Sequence, residues 1–154
     1  MKNKVGGGEG LEGVYGSITG RGMRLVLDAF KEHAGLDAKS VFLDIGSGLG
    51  RPVLHAIVHS NVQVSYGIEC DPVKNQKATY FVQSVVRELT PVFGKDMFSP
   101  SCLPKLICSP IEKLPSLEGA THVYSAWEGF SVEAMEAVGK LFASTSVKSS
   151  SQLT

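Results

Sequence analysis

The sequence predicts an α/β fold, a Rossmann-like doubly wound parallel sheet that is incomplete at its C-terminal end, with strands after the fourth missing or vestigial. Three observations point there. Short apolar runs alternate with amphipathic stretches of helical period, the pattern of βαβ units joined by right-handed crossovers. The first run, VFLDI at 41–45, ends in a turn with glycine at 46, 48 and 50. The second is closed by an acid, Glu69, 19 residues after Gly50.

The elements follow in order. Residues 1–13 form a Gly-rich lead, which suits a flexible segment, and VYGSITGRG (14–22) is a shaped loop. Met23–His33 mixes Leu25, Val26, Leu27, Ala29 and Phe30 with charged residues as a helix would, and Gly35 stops it. Val41–Ile45 is a buried strand. Pro52 fits the first turn of the helix that continues through Val53–Val58. Val62–Ile68 is the second strand, closed by Glu69. Asp71-Pro72 opens a longer helix, Val73–Leu89, with Ala78, Phe81, Val82 and Val85 inward. Lys105–Cys108 and Thr121–Ser125 are the third and fourth strands. Ser131–Ala143 is helical, with Ser131 as N-cap. From Ser144 to Thr154 seven of eleven residues are Ser or Thr, so the core is expected to span 14–143 and a mobile tail 144–154. A doubly wound sheet normally continues here, so the chain reads as a fragment or a short version of its fold.

Composition narrows the partners. With 15 basic and 15 acidic residues in 154, the chain lacks the basic excess of a nucleic-acid binder. No run approaches the ~18 apolar residues of a membrane span, and the N-terminus has no apolar leader. Cys70, Cys102 and Cys108 are odd in number and lack CxxC spacing, which reads as reduced thiols of an intracellular protein. His55 and His59 stand four apart on one helix, but Ala56 replaces the acid of HExxH and no third ligand is apparent, so no metal is expected. The sequence carries no reading of oligomeric state.

The glycine turn sits at the C-terminal end of the first strand, where open α/β sheets bind ligands. Its spacing departs from the dinucleotide fingerprint GxGxxG, since Arg51 stands where the third glycine belongs. Pro52 also removes a helix-start N–H that a pyrophosphate would use, and no GK[ST] follows to make a phosphate loop. An adenosine-bearing ligand without a pyrophosphate remains. Glu69 can accept from both hydroxyls of a ribose.

DxGxGxG followed by Glu69 resembles the cofactor motif of class I S-adenosylmethionine-dependent methyltransferases. VYGSITGRG (14–22), VFLDIGSGLGRPVLHA (41–56) and YGIECDPVKNQKA (66–78) are similar to segments of the non-SET histone-lysine methyltransferases, the disruptor-of-telomeric-silencing family. The resemblance implies S-adenosyl-L-methionine as cofactor, held by Tyr15, Gly16 and Thr19 of the upstream loop, by Asp44, Gly46, Gly48, Gly50 and Glu69, and by Cys70 and Ile111 beside the adenine. Cys70 is expected as a small buried side chain there. The segment SAWEGF (125–130) assigns Ser125, Trp127 and Phe130 to the acceptor side, where the two aromatics form an apolar channel that favours a neutral lysine amine. The implied partner is a protein substrate of histone type, and the implied location nuclear; without the resemblance it is cytoplasmic. Two departures stand out: Ser109-Pro110 replaces the adenine-binding acid, with Glu112 as substitute, and Ala126 stands where the family carries Asn. A small-molecule or RNA methyltransferase, or a non-catalytic cofactor-binding domain, fits the same cofactor residues.

Overall fold

The computed structural model describes residues 18–151 apart from 118 and 128, with side chains described as far as Thr145. Helix α1 (Gly20–Ala34) leads into strand β1 (Val41–Ile45), then α2 (Arg51–Ser60), β2 (Val64–Glu69), α3 (Pro72–Phe93) and β3 (Lys105–Cys108). A single 3-10 turn (Ile111–Lys113), β4 (His122–Ser125) and α4 (Val132–Ser151) complete it. The four strands are parallel in the order β3-β2-β1-β4. Strand order reverses at β1, whose neighbours are the strand that follows it and the last one.

Alternation along β1 sends its side chains into two cores, because successive strand residues face opposite sides. Phe42, with no exposed surface, joins Met23, Leu27, Ala56 and Ile57 beneath α1 and α2. Leu43 and Ile45 pack with Ile68, Ile111, Val138 and Leu141 beneath the 3-10 turn and α4. Of the five expected apolar positions of α1, Leu27 is buried and Val26 and Phe30 pack against the core, whereas Leu25 is 63% exposed and Ala29 is exposed; Met23 is buried as well. Truncating Phe42 to Ala would cost about 3–5 kcal/mol, because a void at the junction of three elements cannot collapse fully.

Several element ends differ from the sequence expectation. Helix α1 starts at Gly20, not Met23, because Thr19 caps it, so Gly20–Gly22 of the expected loop are helical; α2 ends at Ser60 and β4 starts at His122. Three further ends have a local reason. Strand β2 starts at Val64, since Asn61 caps α2 in the left-handed region (φ 51°) and Val62 turns into the core instead. Helix α3 runs past Leu89 and carries Pro91 in its last turn, where little helix remains to be kinked. Helix α4 runs past Ala143 to Ser151. There Ser144 and Thr145 donate their hydroxyls to the Leu141 carbonyl at 2.8 Å each, a back-bond that satisfies them within the helix. The Ser131 hydroxyl does accept from the Ala134 N–H at 3.2 Å, as an N-cap should.

Candidate functional site

The turn after β1 is tied to the end of β2 by its main chain. The N–H groups of Gly46 and Ser47 both donate to the Ile68 carbonyl at 2.9 Å, and Gly50 N–H donates to the Ser47 carbonyl at 2.8 Å. All three glycines have positive φ, at 80°, 53° and 74°. What excludes their side chains is not uniform. A Cβ on Gly46 would lie 2.7 Å from the Phe130 ring, and one on Gly50 would lie 3.2 Å from Val82. At Gly48 nothing lies within 4 Å. Packing therefore explains two of the glycines, and only Gly48 bares its main chain to open space above the strand ends.

Glu69 is buried and faces that turn. Its Oε2 accepts from Gly48 N–H and its Oε1 from Asp71 N–H, both at 3.0 Å. The Asp71 side chain in turn caps α3 by accepting from Val73 and Lys74 N–H. A carboxylate has about four acceptor positions, so Oε2 retains capacity for a hydroxyl donor, and Oε1 gains it when the weak Cys70 thiol contact at 3.6 Å turns away. Asp44, 2% exposed, is the second acid, and its Oδ2 has no hydrogen-bond partner. Burial, and after it the charge of Glu69, push its carboxyl up to about 8. Tyr124, its register partner on β4, has its phenol raised by burial and then by Asp44.

The remaining expected residues divide. Thr19 accepts from Gly22 N–H at 3.1 Å and is the N-cap of α1. Tyr15 and Gly16 lie outside the described residues. Ile111 is 6% exposed and belongs to the core shared with Ile45 and Ile68. Cys70 is exposed rather than buried: it follows the last strand residue, with its thiol donating to Glu69 Oε1 at 3.6 Å. Ser125 donates its hydroxyl to the Ile45 carbonyl at 2.9 Å, which fixes β4 to β1. Trp127, 48% exposed, meets Phe130 edge to face at 5.7 Å between centroids. Glu112 is exposed beside the buried Ile111. His59 lies 2.8 Å from Asp28 Oδ1 across the α1–α2 contact, and His55 packs against Gly20.

Sequence reasoning missed Gly67, Ser47 and Tyr124. A Cβ on Gly67 would strike the Ser47 hydroxyl at 2.7 Å, so a bare strand residue is what lets the turn lie flat on β2. The signal was present as a glycine inside an apolar strand, which marks close backbone approach.

The arrangement suits a ligand with a cation at Asp44, a vicinal diol at Glu69 and a thin middle lying on Gly48. S-adenosylmethionine has an ammonium group, a ribose and such a middle, so the residues present fit it. A family described as "Histone methylation protein DOT1" matches residues 9–147. No curated protein matches the chain in sequence. Among solved structures it is similar to a SAM-dependent methyltransferase from Thiobacillus denitrificans in complex with S-adenosyl-L-homocysteine, at 15% identity and TM-score 0.55, over 84% of this chain and 46% of that one. A putative S-adenosyl-L-methionine-dependent methyltransferase from Methanococcus maripaludis is similar at 13% identity and TM-score 0.50, covering 84% and 61%. The YcgJ protein of Bacillus subtilis is similar at 20% identity and TM-score 0.51, covering 75% and 44%. The chain thus spans less than two thirds of the length of each. A match over most of the chain decides the family, and the solved structures share its fold: the chain belongs to the family described as histone methylation protein DOT1.

Proposed function

We propose that this chain forms the cofactor-binding core of a protein-lysine N-methyltransferase acting on a histone-type substrate, with a nuclear location to match. The observation that carries the cofactor assignment is the orphaned, buried Oδ2 of Asp44 across the bare turn from Glu69. A buried acceptor without a partner is rare in folded proteins, and a ligand ammonium satisfies it. Glu69 holds the ribose hydroxyls, and the main chain at Gly48 lets the adenosyl group lie close.

When bound, S-adenosylmethionine supplies a methyl carbon on a neutral, already activated leaving group, so alignment contributes more than acid–base chemistry. Phe130 rests on Gly46 beyond the end of β4 and Trp127 meets its ring edge to face, which supports giving the pair the methionine end of the site. An apolar wall there strips water from an incoming lysine and favours its neutral, nucleophilic amine. The family match supports a histone-type acceptor.

Transfer of labelled methyl from S-adenosylmethionine to histones, to free amines and to RNA tests the acceptor, with calorimetric titration of the cofactor run in parallel. Label on histone lysine is the expected result. Label on RNA or a small amine would replace the lysine reading, and binding without any transfer would make this a cofactor-binding domain.

A further inference from the structure

A groove away from the glycine turn has no part in the reading above. It is a cavity of about 670 Å³ lined by Pro72, Val73, Asn75, Gln76, Thr79, Tyr80, Gln83 and Cys108. These residues form one face of α3, together with the last residue of β3. From Pro72 to Gln83 the helix advances about 16 Å, so the groove runs down α3 from the rim of the ligand crevice. Strands β3 and β4 are the opposite edges of the sheet, three spacings or about 14 Å apart, which separates the groove from Trp127 and Phe130.

We propose that this groove binds an extended, uncharged stretch of polypeptide. Its polar lining is three primary amides, a hydroxyl, a phenol and a thiol, with no charged side chain. An amide donates and accepts at once, which matches the alternating C=O and N–H of a main chain. The Asn75 Nδ2 donor is buried and has no hydrogen-bond partner, the state expected of a group awaiting a carbonyl. Val73 and Tyr80 are 57% and 66% exposed and offer apolar contact to every second side chain of a strand-like peptide. Among the described residues β3 pairs only with β2, so its outer edge has main-chain groups available to an added strand. A nucleic acid fits poorly, since it brings phosphates and the lining holds no Lys or Arg to meet them. The length suits about five extended residues.

The test uses the isotope-labelled full chain without cofactor, so that its result is independent of methyl transfer. The probe is the capped peptide acetyl-Ser-Val-Thr-Gln-Val-Ser-amide, added to millimolar concentration, with adenosine and a short oligothymidylate as separate arms. The peptide is expected to shift the backbone amide signals of Asn75, Gln76, Thr79, Gln83 and Cys108 and to leave Trp127 unmoved. Asn75→Leu keeps the volume and removes the amide, and should weaken the peptide about tenfold, as loss of one buried hydrogen bond does. Gln83→Arg, a change at an exposed position, places a charge in the groove and should weaken it as well, which keeps the proposal testable if the Asn75 variant does not fold. Peptide shifts absent from this face, or undiminished in the variants, overturn it. So do shifts caused by adenosine or the oligonucleotide and not by the peptide.

Discussion

The main-chain N–H of Gly48 donates to Oε2 of Glu69 at 3.0 Å, so the apex of the glycine turn and the acid closing β2 form one unit before any ligand arrives. With Asp71 N–H on the other oxygen, the carboxylate is held in place rather than ordered on binding, which lowers the entropic cost of association. With Glu69 in its proposed role, Glu69→Ala removes both acceptors for the ribose hydroxyls and should weaken S-adenosylmethionine by about 10- to 100-fold in a calorimetric titration. Glu69→Gln keeps the shape but turns one acceptor into a donor facing an N–H, and should be nearly as damaging. Undiminished binding in both variants would remove Glu69 from the site.

Much of this arrangement was legible in advance, and the limits have physical causes. The strand Val41–Ile45 is read to the residue, because a buried parallel strand is a largely apolar run closed by a turn residue; Lys105–Cys108 also falls where expected, although it is a mostly exposed edge strand. Glu69 was legible by its distance from the turn. The source of the glycines was not: spacing says that side chains are excluded, not that Phe130, 80 or more residues away in the chain, excludes one of them. The end of α4 was misjudged because composition weighs Ser and Thr as helix breakers, whereas the Leu141 carbonyl satisfies two of them within the helix. The exposure of Cys70 depends on which side of a strand end it leaves, a tertiary matter.

The contact between Gly46 and Phe130 predicts a coupled pair. Gly46→Ala adds left-handed strain at φ 80° and a clash at 2.7 Å with the ring, together about 2–4 kcal/mol of stability. In a Phe130→Ala background the clash is gone and only the strain remains. Urea denaturation of the four proteins should therefore show the Gly46→Ala penalty shrinking by about 1 kcal/mol or more when Phe130 is absent. Strict additivity would show that the ring does not rest on the turn.

Thr19 carries two readings that one pair of variants separates. As the N-cap of α1 its hydroxyl satisfies Gly22 N–H, so Thr19→Ala should cost about 1 kcal/mol and Thr19→Ser almost nothing. If the cap is its whole role, the cofactor dissociation constant of the Ala variant stays that of the parent wherever both are folded. A loss of affinity restored by Ser would add a direct hydrogen bond to the ligand.

Asp44 makes the protein's stability depend on pH in a direction opposite to that of a salt-bridged acid. In the unfolded chain its carboxyl ionises near the ordinary 3.8, whereas burial and then Glu69 hold the folded group up to about 8. Between those values the folded state binds the extra proton, so stability falls as pH rises, at most by about 1.4 kcal/mol per pH unit. Below the window both states are protonated and above it both are ionised, so the penalty is absent at the acid end and complete at the alkaline end. Asp44→Asn has no proton to lose. The variant should therefore gain on the parent in urea denaturation as pH is raised from about 5 to about 9, with the difference levelling above about 8. A ligand ammonium at Oδ2 reverses the preference by stabilising the carboxylate, so S-adenosylmethionine binding near neutral pH should release up to about one proton. Calorimetry in buffers of different ionisation enthalpy reads that proton directly, and the Asn variant should release none. A parent whose stability tracks that of the variant across the window, with no proton released on binding, would mean that Asp44 is ionised in the folded protein and already has a partner.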